Sequence, residues 1–305
     1  MAKYIGMRIV YLFLTLFMIA SVTFFLMKLL PGTPLSAADK LSPEQQQIVL
    51  EKYDLDKPIP VQYFNYITNL AQGDLGVSFQ FDNRSVTEII IERIGPSFQI
   101  GAQAMVIGTL AGILLGILSA IYHNGAVDTS STIFAVLGQS IPGFIFAGIL
   151  QFFIGVKLGW LPVALWGTFE HTIMPTIALA IFPMAITARF MRTEMLEVLG
   201  SDFITTARAK GLSKSVVIFK HSLKNSLIPV VTVLGPLAIG LMTGTFVIET
   251  IFAIPGLGEQ FVKSINTNDF PIIMGTTLFS SFAFVVMILV IDLLYGLIDP
   301  RIRLS

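Results

Sequence analysis

Apolar residues in this chain come in long uninterrupted runs rather than in the period-two or period-3.6 alternation of half-buried elements. Ile9 to Met27 contains no Asp, Glu, Lys or Arg and is flanked by Arg8 and Lys28. About 20 apolar residues, rising 1.5 Å each, cross the hydrocarbon of a bilayer as a helix. No acidic or basic residue occurs between Arg93 and Asp128, which accommodates a second span within Ser97 to Tyr122. A third fits Ser130 to Val156, ahead of Lys157, and a fourth fits Thr172 to Phe190. The fifth lies between Lys224 and Glu249 and the sixth between Asp269 and Asp292. The first run is long for a signal-peptide core, and "LLPGTP" after it lacks a small-x-small cleavage pattern, so it reads as a retained span. The expected fold class is all-α: a polytopic membrane protein of six transmembrane helices.

Composition agrees. Of 305 residues, 54% are hydrophobic and 12% charged, with mean hydropathy +0.80, whereas a soluble domain is about 25% charged. Zero net charge gives no global field favouring nucleic acid. The absence of cysteine removes disulfides, thiolate metal sites and cysteine nucleophiles. No linker or low-complexity tract divides residues 1–305, which read as a single transmembrane domain.

Basic residues set the orientation. Six spans leave both termini on one side. Lys3, Arg8, Arg301 and Arg303 join Arg189, Arg192, Arg208, Lys210, Lys214, Lys220 and Lys224 on that side, while the two short opposite loops hold only Lys157 and Lys263. The positive-inside rule places both termini in the cytoplasm, with 31–96 as an extracytoplasmic loop and 191–226 as a cytoplasmic one. In the outer loop Ile59, Tyr63, Ile67 and Leu70 form one apolar helix face, suited to rest on the membrane or to meet a partner.

The basic cytoplasmic segment has a shape of its own. Ser201 suits an N-cap with Asp202 in the first turn. Phe203, Ala207 and Gly211 recur every four residues, and Gly211 suits the left-handed position that ends a helix. Ser213 then caps a second helix with Val216, Phe219 and Leu223 on one face. A short helix that presents a small apolar face to the cytosol suits the groove of a partner.

The chain has no P-loop, no zinc-protease signature and no nucleophile elbow; His123, His171 and His221 are scattered near span ends. Asp292 and Glu249 are near-membrane acids and would be the candidates if the chain were an intramembrane hydrolase. Span two carries Gly108, Gly112 and Gly116, a small-residue stripe that lets two helix backbones approach. Span three has Gly138, Pro142, Gly143 and Gly148; span five has Gly235, Pro236, Gly240 and Gly244. Glycine-proline pairs inside spans remove hydrogen bonds and permit bending, and interrupted helices line moving pathways. The residues Gly235, Pro236, Gly240, Gly244 and Glu249 are therefore pathway or gate candidates.

The stretches "SDFITTARAKGLSKSVVIFKHSLKNSLIPVV" and "GTFVIETIFAIPGLGEQFVKSI", with "KLLPGTP", "KYDLDKPIPVQYFNYITNLAQGDLGVSF" and "YGLIDPRIR", carry a resemblance. From span one to its tail the chain resembles the permease subunits of ATP-binding-cassette (ABC) importers, in the oligopeptide/dipeptide branch. The resemblance implies a type I importer permease fold and a cytoplasmic coupling helix that docks into an ATPase subunit. The general coupling pattern is Glu-Ala-Ala, three residues, then Gly. Here it falls on Thr205, Thr206, Ala207 and Gly211, with Thr205 in place of the Glu. Phe203 and Ala207 would enter the ATPase groove, and Arg208 and Lys210 would pair with the partner surface or lipid phosphates. The implied partners are a second homologous permease, two ATPases that bind ATP and magnesium, an extracytoplasmic peptide-binding protein, membrane lipid and peptide cargo. No cofactor is implied for this chain. Dipeptide, nickel or glutathione permeases of the same branch are the alternative cargo readings.

Overall fold

The computed structural model describes residues 2–29, 47, 50, 51, 54–81 and 84–298. Its helices are α1 (Ala2–Leu29), α2 (Ile59–Ala71), α3 (Val86–Ile121), α4 (Ala126–Ser140), α5 (Gly143–Leu150), α6 (Glu170–Leu199), α7 (Asp202–Ala209), α8 (Lys214–Val216), α9 (Leu223–Met242), α10 (Phe246–Ile251), α11 (Leu257–Asn266) and α12 (Phe270–Ile298). π-Helical turns at Gln151–Lys157 and Val217–Ser222 extend α5 and join α8 to α9. Among the described residues five helices are long and apolar enough to cross a membrane, and a sixth crossing is counted if α4 and α5 form one span.

That third span is broken. α4 and the helix beginning at Gly143 are bent by 101°. Ile141 takes an extended backbone (φ −88°, ψ 122°), as a residue before proline prefers, and Pro142 supplies no N–H to continue the helix. Span five departs from its expected shape in the other direction. α9 runs unbroken through Pro229, Gly235 and Pro236, and the chain turns instead at Gly244, whose φ is +120°.

The chain forms two compact units, Met1–Gly95 with Gly256–Ser305, and Pro96–Pro255. In the first, α1 packs along α12, and Val86, Ile89, Ile90, Leu257 and Ile272 form a buried cluster. The helix α2 lies on α1: Phe24 stacks on Tyr66 with centroids 5.5 Å apart, and Ser21 Oγ is 2.7 Å from Tyr63 Oη. Lys28 Nζ donates to Gln62 Oε1. The inward face of α2 is thus Gln62, Tyr63 and Tyr66, while Ile59 remains 47% exposed.

The second unit is organised around α6. Its two prolines, Pro175 and Pro183, are both buried within an otherwise continuous helix. The glycine stripe of α3 meets it backbone to backbone: a Cβ at Gly108 would lie 2.7 Å from the Ala180 carbonyl, and one at Gly116 2.7 Å from that of Ala188. Gly138 of α4 also lies close to α6, here against side chains: a Cβ there would stand 2.9 Å from Ala185 Cβ. Ile100, Ala104, Met174, Leu179, Ile248 and Phe252 make the main apolar core of this unit.

Candidate functional site

The basic segment folds as the glycine requires. Gly211 has φ +78°, its N–H donates to the Arg208 carbonyl at 2.9 Å, and the Leu212 N–H donates to the Ala207 carbonyl at 3.3 Å. These two bonds, with a left-handed residue between them, are the Schellman arrangement that closes a helix C-terminus. At the other end Ser201 occupies the N-cap position in extended conformation. Its hydroxyl does not cap, because it donates backward to the Val198 carbonyl at 2.6 Å. It is therefore the Ser201 carbonyl, accepting from the Ile204 and Thr205 N–H groups, that starts the helix.

α7 divides its residues between two faces. Ile204 and Ala207 are buried with Val217, and Val198 packs against them. Phe203 is 47% exposed; Thr205, Thr206, Arg208 and Lys210 are exposed as well. Phe203 and Ala207, expected to share an outward face, thus point to different surroundings. At about 100° per residue Ala207 lies ~40° from Phe203 and ~60° from Ile204. Spacing alone leaves its side open, and the bulk of Ile204 pulls it inward. The outward stripe is Phe203, Thr206 and Lys210. The next turn shifts too: the π-helical stretch buries Val217, Ile218 and Ser222, and leaves Val216 and Phe219 exposed, the latter at 60%. The extra residue of a π-turn rotates the face that an uninterrupted helix would present.

The pathway candidates are less gathered. Gly240 has open space where a Cβ would stand, Pro236 is exposed, and Gly235 and Gly244 are half-buried. Glu249 is fully buried, accepting from Ser97 Oγ at 2.8 Å and from the Thr245 N–H at 3.1 Å. The carboxylate thus stitches the start of α10 to α3. The side chain of Asp292 lies outside the described residues.

Two polar clusters had no counterpart in the sequence patterns. Asp128, at the start of α4, accepts from Arg192 Nε at 2.6 Å and from Arg192 Nη2 at 2.9 Å. It also receives the Ser119 hydroxyl and the Asn124 N–H at 2.9 Å; His123 Nδ1 stands 3.1 Å away. A two-pronged guanidinium–carboxylate pair of this kind fixes both distance and orientation. In the first unit Asp269 is fully buried. It accepts from the Ser78 hydroxyl, the Phe79 N–H at 3.2 Å and the Gln80 N–H at 3.3 Å, holding the turn at 78–80 to the N-terminus of α12.

Comparisons with known proteins identify the family. The chain matches the family profile "Binding-protein-dependent transport system inner membrane component" over residues 112–304, and the profile of the N-terminal part of such membrane components over residues 1–100. It belongs to this family, the membrane permeases of ABC importers, and is a multi-pass protein of the bacterial inner membrane. It is 48% identical over 304 residues to the dipeptide transport system permease protein DppB of Lactococcus lactis subsp. cremoris (strain MG1363), covering 100% of both chains. It is 44% identical to the DppB of Bacillus subtilis (strain 168), covering 100% of this chain and 99% of that one. Identity is 38% to the oligopeptide transport system permease protein OppB of Haemophilus influenzae, covering 99% of this chain and 100% of that one. Among solved structures, an amino acid ABC transporter crystallised with histidines shares the fold, at TM-score 0.52 and 16% identity over 71% of this chain and 95% of that one.

Proposed function

We propose that this chain forms half of the translocation pathway of an ATP-driven importer of peptides, and that α7 is the element through which ATPase subunits drive it. The observation that carries the reading is the two-faced seat of α7: Ile204 and Ala207 anchor it to the chain, while Phe203, Thr206 and Lys210 stand outward on a helix closed by Gly211. Membership of the family supports transport, and the names of the full-length relatives support di- or oligopeptide cargo. A second, similar permease completes the pathway; two ATPases bind ATP and magnesium, and an extracytoplasmic protein delivers cargo. The chain performs no catalysis itself. Closure of the ATPases moves α7, and α7 transmits the change because its partner holds it differently in the two states. On this reading both termini and α7 are cytoplasmic, in accord with the distribution of Lys and Arg.

The native chain has no cysteine, so single cysteines report cleanly. A cysteine at Lys210 should react with a membrane-impermeant maleimide only after the cell is opened. Phe203→Asp, on the exposed face, should abolish co-purification of the ATPases and ATP-driven peptide uptake while membrane insertion stays intact. Ala207→Asp should do the same by a different route, because an unpaired carboxylate would enter the Ile204–Val217 cluster and unseat the helix. Undiminished ATPase association in Phe203→Asp, or labelling of Lys210→Cys from outside, refutes the docking assignment.

A further inference from the structure

A groove of about 650 Å³ opens where α3 and α6 end, next to the first turns after α7. The last residue of α3, Ile121, lines it together with Leu196 and Leu199 from the last turn of α6 and with Ile218. Arg208 and Lys214 border it. Both bases are exposed, and neither takes part in an ion pair among the described residues. No acidic residue lines the groove. Its size lies within the roughly 300–1,000 Å³ typical of small-molecule sites.

Two features of this groove restrict its occupant. α3 and α6 are both candidate membrane spans; α3 ends at Ile121, at the edge of the second span, where hydrocarbon gives way to headgroups, and the last turn of α6 continues past the fourth span's Phe190 beside it. The lining is apolar, yet the border carries two cations without a carboxylate to neutralise them. A polypeptide laid into such a groove would bring backbone N–H and C=O groups against Leu and Ile side chains, at a cost for each unpaired group. A molecule with a hydrocarbon chain and an anionic phosphate satisfies both the lining and the border. We propose that this groove is a binding site for one anionic phospholipid, its acyl chain between the ends of α3 and α6 and its phosphate held by Arg208 and Lys214. Because Arg208 belongs to α7 and Lys214 to α8, the bound lipid ties the basic segment to the bilayer surface.

Native mass spectrometry of the assembled transporter tests this, after exchange into micelles containing phosphatidylglycerol and phosphatidylethanolamine in equal amounts. One phosphatidylglycerol should be retained in preference to phosphatidylethanolamine. A juxtamembrane base near an anionic surface contributes about a fivefold factor in binding, so Lys214→Gln should weaken retention about fivefold and Lys214→Gln with Arg208→Gln roughly 25-fold. Leu199→Trp, which fills the groove and leaves both bases in place, should also release the lipid. Equal retention of the two lipids overturns the proposal, as does retention unchanged in Lys214→Gln and in the double variant. Displacement of the lipid by millimolar inorganic phosphate would also overturn it, since that would make the bases a plain phosphate site. The readout is bound lipid rather than ATP turnover, so its failure is separate from failure of the docking reading.

Discussion

α6 meets its neighbours in two different ways. Along α3 it faces three glycines at close range, and the contact is made largely by backbone against backbone. At its C-terminal end Val198 joins Ile204, Ala207 and Val217, a cluster of small extent that holds a helix of eight residues. The first contact is long and admits no added atom. The second rests on a few side chains and one C-terminal glycine turn. Segments with few buried apolar contacts are the ones that open or shift at low free-energy cost. The difference leaves the packing of α3 on α6 with no room for an added side chain, and the seat of α7 dependent on a few side chains and its closing turn.

The largest expected effect comes from breaking the first contact. A Cβ at Gly112 would stand 2.6 Å from the Met184 carbonyl oxygen and 2.6 Å from Thr187 Cβ. A backbone oxygen cannot swing aside as a long side chain can, so Gly112→Leu must drive the two helices apart. Overpacking of this kind costs roughly 1–3 kcal/mol and sometimes more, and here the added side chain also separates the neighbouring glycine contacts. The variant should fall below the level at which folded protein is recovered from the membrane, measured by monodispersity in mild detergent. Recovery at wild-type yield and melting temperature would show that the α3–α6 interface is as yielding as the seat of α7.

An intermediate effect is expected where the unit is held by charge. Asp128 is buried and Arg192 is 28% exposed. Removing one partner of a buried pair costs about 3–5 kcal/mol; partial exposure of Arg192 lowers the expectation for Asp128→Ala to about 2 kcal/mol. Asp128→Ala with Arg192→Ala should recover most of that, since no unpaired ion is then left behind. Thermal unfolding of the single and double variants in one detergent checks both. A double variant as unstable as the sum of the singles would mean that the pair is incidental to the packing of α4 on α6.

The same contrast explains how far the chain could be read in advance. Spans are legible because hydrocarbon tolerates few charges, and the gap between Arg93 and Asp128 nearly locates the membrane part of α3 by itself. The glycine stripe was legible because close backbone approach has one chemical solution. The turn at Gly211 was legible for the same reason. What a local pattern could not supply is the environment that decides between adjacent positions on one helix. Ala207 sits between Phe203 and Ile204 around the axis, and its inward face depends on Val217, ten residues away and brought near by the fold. The π-turn at Val217–Ser222 shifted the following face, and nothing in the residue types there marks it. Asp128 with Arg192, and Ser78 with Asp269, join residues 64 and 191 positions apart, beyond the reach of any periodicity. The third span shows the limit from the other side: Pro142 marked the break, but no local pattern supplies the 101° angle.

The smallest effect concerns the turn that closes α7. Gly211 has open space around the position a Cβ would take, so a side chain there meets no steric block. The cost comes from φ +78°, a left-handed conformation that disfavours L-residues by about 1–2 kcal/mol and β-branched ones most. Asn tolerates this region better than other non-glycine residues. Gly211→Val should therefore lower ATP-driven uptake clearly, Gly211→Ala moderately and Gly211→Asn least, with insertion and melting temperature nearly unchanged in all three. The order is the test. If uptake instead falls with side-chain volume, so that Asn is worse than Ala, then Gly211 is needed for a close approach by a partner rather than for the turn. The lightly held helix would then owe its position to what docks on it rather than to its own closing bonds.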